Sequence, residues 1–357
     1  MNGRRGAMST VILSLVILAT LALVTACQRA TPPAGKPAPV SEVALARSPD
    51  AAPRFVSGGT DRIVGLLCGA TLHRFVAGNE ALSPSSAPAV DIRAAWFGPD
   101  PIIDRWLVRT NDGIAVTTRD LAVPMPEWPA GADVGPAVFA SGGATLAAAP
   151  AGGDDRRVRV CNFEPSKVQP GFVADNPLIL PVAEGATVLF VDLDLTGKYI
   201  LTVDDQGHIG VYQAPGTKPV YTQTLDPETE GTIRAADLSP EGDWFVVSAR
   251  SVKVRAWRLP FMSAPLTSFG DVTQVFFAGG VESLITVDEN GLAIRWLLNY
   301  GKVKAEATAQ LDSLTTAVTA DASGRLLMSL TPDGRVRAWP TATLAELEAL
   351  TQRVCVR

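Results

Sequence analysis

Histidine is nearly missing from this 357-residue chain, which has two, His73 and His208, and cysteine is sparse at four. No CxxC pair occurs, so a zinc site built from Cys and His is not expected. A Gly-x-Ser-x-Gly elbow and a Walker loop are both absent, which removes the common signatures of a serine hydrolase and of a phosphate-cradling nucleotidase. Basic runs are lacking too. With 31 Lys and Arg against 36 Asp and Glu, the net charge is −5. Nucleic acid is therefore not an expected partner, since its binding rests on cations neutralising phosphates. Sustained helical periodicity is also missing, which excludes helical solenoids. What is abundant is apolar residues at 47% and turn formers, 31 Gly and 27 Pro. That composition describes a core-former with many turns.

One phrase organises the chain, clearest at 317–339: AVTADASGRLLMSLTPDGRVRAW. An apolar segment meets a polar Gly turn, a second apolar run reaches Pro332-Asp333-Gly334, and a third segment alternates to Trp339. Asp-Gly between apolar runs is a strong hairpin signal, because both residues tolerate the positive φ of a type I′ turn. Versions of the phrase recur at 43–75, 92–118, 137–161, 189–212, 234–257 and 274–296. The residues that close each third segment are Leu67, Thr118, Cys161, Tyr212, Trp257, Trp296 and Trp339. They recur at the period of propeller blades, about 40–45 residues. Four short antiparallel strands make one blade, and blades closed in a ring hide most sheet edges. In the first unit the spacing predicts strands over Val43–Arg47, Arg54–Ser57, Arg62–Leu67 and Thr71–Phe75.

The stretches LSPEGDWFVVSA and VKVRAW within 238–257, LTGKYILTVDDQGHIGVY at 195–212 and PDGRVRAW at 332–339 resemble WD-repeats, and the likeness covers nearly all of 42–340. The resemblance implies an all-β fold: a single β-propeller of about seven four-stranded blades, with a short C-terminal helix expected over Thr343–Leu350. No Gly-His dipeptide precedes a blade and no Trp-Asp occurs. The Asp–His–Ser/Thr–Trp hydrogen-bond network of that family is therefore not assigned to residues here. The ring has three candidate closures: the helix as a cap, Val354-Cys355-Val356 as the outer strand of the last blade, or the segment before Val43 pairing with that blade.

The N-terminal stretch reads as a targeting segment. Arg4 and Arg5 precede an apolar run from Val11 to Leu23, and Val24-Thr25-Ala26 lead into Cys27. The run is short for a spanning helix. This resembles a bacterial lipoprotein signal over 1–26, with Cys27 as the lipidated residue. Gln28 after it resembles the outer-membrane-sorted class, should the cell have two membranes. Residues 27–41, rich in Pro and Ala, are expected to form a tether, with the propeller over 42–357. Cys68, Cys161 and Cys355 then remain in an oxidising compartment, where Cys68 and Cys355 are a candidate pair.

The candidate functional residues lie between blades. The longest insertion, Asn162–Ala186, carries Phe172, Leu178 and Ile179 and shows no obvious repeat role. A second, Pro124–Pro136, holds Trp128. These four residues are the expected partner contacts, because a propeller places its contacts on inter-blade loops. Among the acids, Asp112, Asp237, Asp288 and Asp333 read as turn residues, and Asp192 and Asp194 as an inner-strand pair. His208 beside Asp204 reads as a strand residue next to turn acids, and His73 as a surface residue of an outer strand. The reading that follows is a lipid-anchored, non-catalytic protein-binding scaffold of the cell envelope, with other envelope proteins as partners and no cofactor or metal. Two alternatives stay open: a hydrolase with a metal held by axial carboxylates, and a sensor of a sugar or peptidoglycan fragment held by aromatics such as Trp96, Trp106 and Trp244.

Overall fold

The uninterrupted apolar runs of the sequence become strands buried from end to end: Trp244–Ala249, Ser283–Val287 and Leu326–Leu330. A strand covered on both faces needs apolar residues at every position, not alternate ones. In the computed structural model, residues 54 to 353 are described apart from internal stretches, the longer being 57–62, 77–82, 85–90, 97–103, 166–171, 260–265 and 346–351. All of them belong to the compact unit Val40–Arg357.

The strands form seven antiparallel sheets in chain order, six of four strands and one of five. In the fourth, Val188–Leu193, Tyr199–Asp204, His208–Gln213 and Pro219–Thr224 pair in sequence. Burial is highest in the middle strands and falls outward, so the outer Pro219–Thr224 is exposed along most of its length. The first strands of neighbouring sheets pack against each other all the way round, and Arg54–Val56 of the first sheet meets Ala317–Ala320 of the seventh. Leu66 packs with Leu330 and Val336 across that junction. The ring is closed, and this is the expected β-propeller of seven blades. Among the described residues no helix is long and apolar enough to cross a membrane.

The turn chemistry is legible residue by residue. Asp194 and Asp321 each accept the backbone N–H that opens the next strand, from Tyr199 at 2.8 Å and Leu326 at 2.7 Å, and Ser239 does the same for Trp244 at 2.9 Å. Asp204 and Asp288 fold the next turn of their blades by accepting two N–H groups each. Gly207 closes the Asp204 turn at φ +84°, where a Cβ would also collide with the carbonyl of Leu225. Two blades keep part of the network that the sequence left unassigned. Trp296 Nε1 donates to Thr286 Oγ1 at 2.8 Å, and Tyr212 is hydrogen-bonded to Thr202 at the matching positions of blade four.

Three expectations change. In the first blade the strands are Arg54–Val56, Ile63–Cys68, Thr71–Val76 and Ser83–Pro84. The register therefore slides outward by one strand: Val43–Arg47 lies outside the described residues, and Leu67 closes a second strand. His73 is half-buried in the third strand. The insertion Asn162–Ala186 has a repeat role after all. Phe172–Ala174 pairs with Phe163–Pro165, and Leu178–Leu180 pairs with Val158–Val160, so two short strands share the outer edge of blade three. Finally, the outer strand of the seventh blade is Gln352–Arg353, paired with Arg335 and Val336, starting two residues ahead of the candidate strand Val354-Cys355-Val356. In the expected C-terminal helix, 343–345 form turn and irregular chain, and 346–350 lie outside the described residues. Cys27, the side chain of Cys68, and Cys355 also lie outside them.

Candidate functional site

Polar side chains gather at several places on this frame, among them a cavity of about 530 Å³ lined by Asp154, Asp155, Arg156, Arg157 and Glu184; two others hold an acid–acid and an acid–imidazole pair. The first is the axial channel, a cavity of about 170 Å³ bounded by the innermost strands of blades three to seven. Asp192 and Asp237 face it from the same position of adjacent blades, opposite Leu201 and Val246 of their second strands. Asp192 accepts the N–H of Leu193 and, across the junction, that of Leu238, both at 2.8 Å. Asp237 repeats the device one blade on and accepts the N–H of Phe277 at 2.6 Å. The two carboxyl groups lie close enough for each to perturb the other's ionisation. Burial in the channel, with the neighbouring acid adding to it, pushes Asp237 well above the ordinary carboxylate range; burial raises Asp192 too.

The inner-strand pair is thus Asp192 and Asp237, whereas Asp194 is the turn former. The sequence reading had exchanged the last two. Their oxygens are spent on backbone N–H groups, so the arrangement staples blades four, five and six. Among the described residues no three His, Cys, Asp or Glu side chains cluster as a metal site.

The second place is a rim groove of about 310 Å³ between the blade three–four linker and the outer half of blade four. Pro181, Val182 and Val188 wall one side, Ile209 and Thr222 the other. At one end sits a dyad: His208 Nδ1 lies 3.1 Å from Asp204 Oδ2 and 3.2 Å from Oδ1. Asp204 is buried and the imidazole is 45% exposed. The pair arises locally, since the Asp204 turn hands the chain back to a strand whose first residue is His208. Tyr212 Oη ties the linker to the blade by donating to the Pro181 carbonyl at 3.2 Å, and burial raises its phenol pKa.

Trp128 has a packing role. Its ring lies against the core of blades two and three, and its Nε1 donates to the Ala132 carbonyl at 3.1 Å. The Arg159 guanidinium sits 5.7 Å from the ring centroid. Arg159, 1% exposed, also donates to the carbonyls of Glu127 and Arg157 and to Asp155. Arg157, with Arg159 behind it, holds the Asp155 carboxyl well below its ordinary range. Leu178 and Ile179 are half-buried in their outer strand, and Phe172 has a described backbone only. Trp96 and Trp106 are core residues, and Trp244 is buried under Arg258. Among the described residues only Leu189 and Val220 are large, apolar and exposed, and Val220 lies two residues before Thr222 on the outer strand of the groove.

Comparison with solved structures settles the architecture. A chain in the crystal structure of a mitotic checkpoint complex superposes with TM-score 0.59 at 9% identity, covering 88% of this chain and 98% of that one. The WD40 domain of Pan2 from Neurospora crassa superposes at 0.56 with 13% identity, covering 84% and 90%. The fold is a WD40-type β-propeller. No family profile and no curated protein sequence matches the chain.

Proposed function

We propose that this WD40-type propeller is a non-catalytic protein-binding scaffold, held at the cell envelope by a lipid on Cys27. The observation that carries the binding reading is the rim groove, an open, mostly apolar-walled slot on a closed ring. A rigid frame with an accommodating surface suits recognition, because little ordering entropy is lost on docking. A neighbour in fold that belongs to a multiprotein complex is consistent with this use. Support for the anchor is in the sequence alone, in Arg4-Arg5, the apolar run and the small residues before Cys27.

The test is crosslinking in intact cells, recovery through a tag after Arg357, and mass spectrometry. A dominant envelope protein is expected in the crosslinked fraction. Metabolic labelling with a palmitate analogue is expected to mark the chain and to be lost on Cys27→Ala. No specific partner, with normal expression and labelling, would sink the scaffold reading.

A further inference from the structure

The groove has a chemical bias. Its long walls are apolar, and its closed end is a buried carboxylate carrying a half-exposed imidazole. In the neutral tautomer whose Nδ1–H is directed at Asp204, Nε2 of His208 is an acceptor. The acids nearest the slot are the buried Asp204 that lines it and, just outside its lining, the exposed Asp205 of the turn and Glu184 of the linker. The outer strand Pro219–Thr224 carries no charge. Of the two cations beside this linker, Arg156 is turned to the carbonyls of Gly185 and Ala186 and to the Thr187 hydroxyl, and Arg157 is paired with Asp155. An apolar stem ending in a cation is the side chain such a slot complements, because Lys and Arg bury their methylenes while the head seeks acceptors.

We propose that the groove receives a lysine or arginine side chain of the partner protein, its stem against Pro181, Val182 and Val188 and its head at the Asp204–His208 end. This rests on the scaffold reading and names the chemistry of the contact. The axial channel does not compete for the role, since its carboxyls already staple the blades.

Thr222 gives a clean test, for it is exposed, lines the slot and makes no side-chain bond on which the blade depends. The full chain, purified in detergent, is panned against random dodecapeptides displayed on phage. Enriched peptides are expected to share a Lys or Arg with apolar neighbours. By fluorescence polarisation of the best peptide, Thr222→Arg is expected to weaken binding by about ten-fold or more, through like-charge repulsion, while Thr222→Glu retains or improves it. Thermal melts confirm that both variants fold.

Failure to enrich any peptide, enrichment of acidic peptides, equal loss in both variants, or no loss in either would each overturn the proposal. The two readings fail differently. A partner crosslinked equally by wild type and Thr222→Arg removes the groove and leaves the scaffold, whereas absence of any crosslinked partner removes the scaffold.

Discussion

Removing the Asp192 carboxyl should loosen the junction of blades four and five more than any single apolar contact there. In Asp192→Ala the N–H groups of Leu193 and Leu238, both on buried residues, lose their acceptor. A buried donor left unmade costs about 1–3 kcal/mol. Two of them set an upper range of about 6 kcal/mol, from which the relief of a desolvated carboxyl is subtracted. The net expectation is a loss of about 2–4 kcal/mol, or roughly 4–8 °C in Tm at about 2 °C per kcal/mol for a domain of this size. Asp192→Asn keeps an acceptor for only one of the two N–H groups, which Oδ1 and Oδ2 serve separately, so its loss should be smaller than that of Asp192→Ala, about 1–3 kcal/mol. Differential scanning calorimetry of the two variants reads both numbers. An Asp192→Ala melt within 1 °C of wild type would refute the staple.

The same pair fixes the sign of a pH dependence. Burial raises both carboxyls in the fold, Asp237 most. The folded state therefore holds a proton that the unfolded chain releases near the usual carboxylate pKa of about 4. Stability from this source is complete below that pH and is lost as pH rises through the folded pKa of the pair, at about 1.4 kcal/mol for each unit by which it is raised. Between pH 4 and pH 7 the wild-type Tm should fall by more than that of Asp237→Asn, which stays neutral throughout. Parallel profiles would show that the fold does not hold this proton.

Three further perturbations test the frame. Gly207→Ala forces a Cβ into a +84° turn against the Leu225 carbonyl and should cost about 1–3 kcal/mol, read by urea unfolding. Arg159→Met strips the Glu127 and Arg157 carbonyls of this donor and leaves Asp155 to Arg157 alone, so limited proteolysis should open the chain at 126–132 well before wild type. Burial pushes the Cys161 thiol up to about 12, so maleimide at pH 8 should leave it unmodified in the folded protein and label it in denaturant, as peptide mapping would show.

The sequence reveals what neighbouring residues decide. Asp-x-x-Gly turns, buried apolar runs and their period are all local, and blades four to seven fall where those signals put them. The first blade slipped because its outer strand, Ser83–Pro84, is two residues long and carries no pattern of its own, so only pairing reveals it. The Asn162–Ala186 segment hid its two strands because three-residue strands on an outer edge are specified by the Val158–Pro165 strand they lie on, not by their own pattern. The rim groove was illegible for the same reason. His208 and Asp204 are four residues apart and Val188 shares their blade, but Pro181 and Val182 arrive from the linker before it.

One long-range feature was nevertheless written in the repeat. Asp192 reaches an N–H 46 residues on, and Asp237 reaches one 40 residues on, which is one blade in each case. A carboxyl at this inner-strand position always has the next blade's backbone within reach, because the ring places equivalent positions side by side. Where the position holds Phe276 or Thr319 the staple stops. Acids aligned by repeat register in a closed ring are therefore read first as inter-blade acceptors, and acids left over at the rim are the ones free to meet a partner. By that sorting Asp192 and Asp237 belong to the frame, while Asp204, held by its turn yet opening on the groove through His208, belongs to the surface.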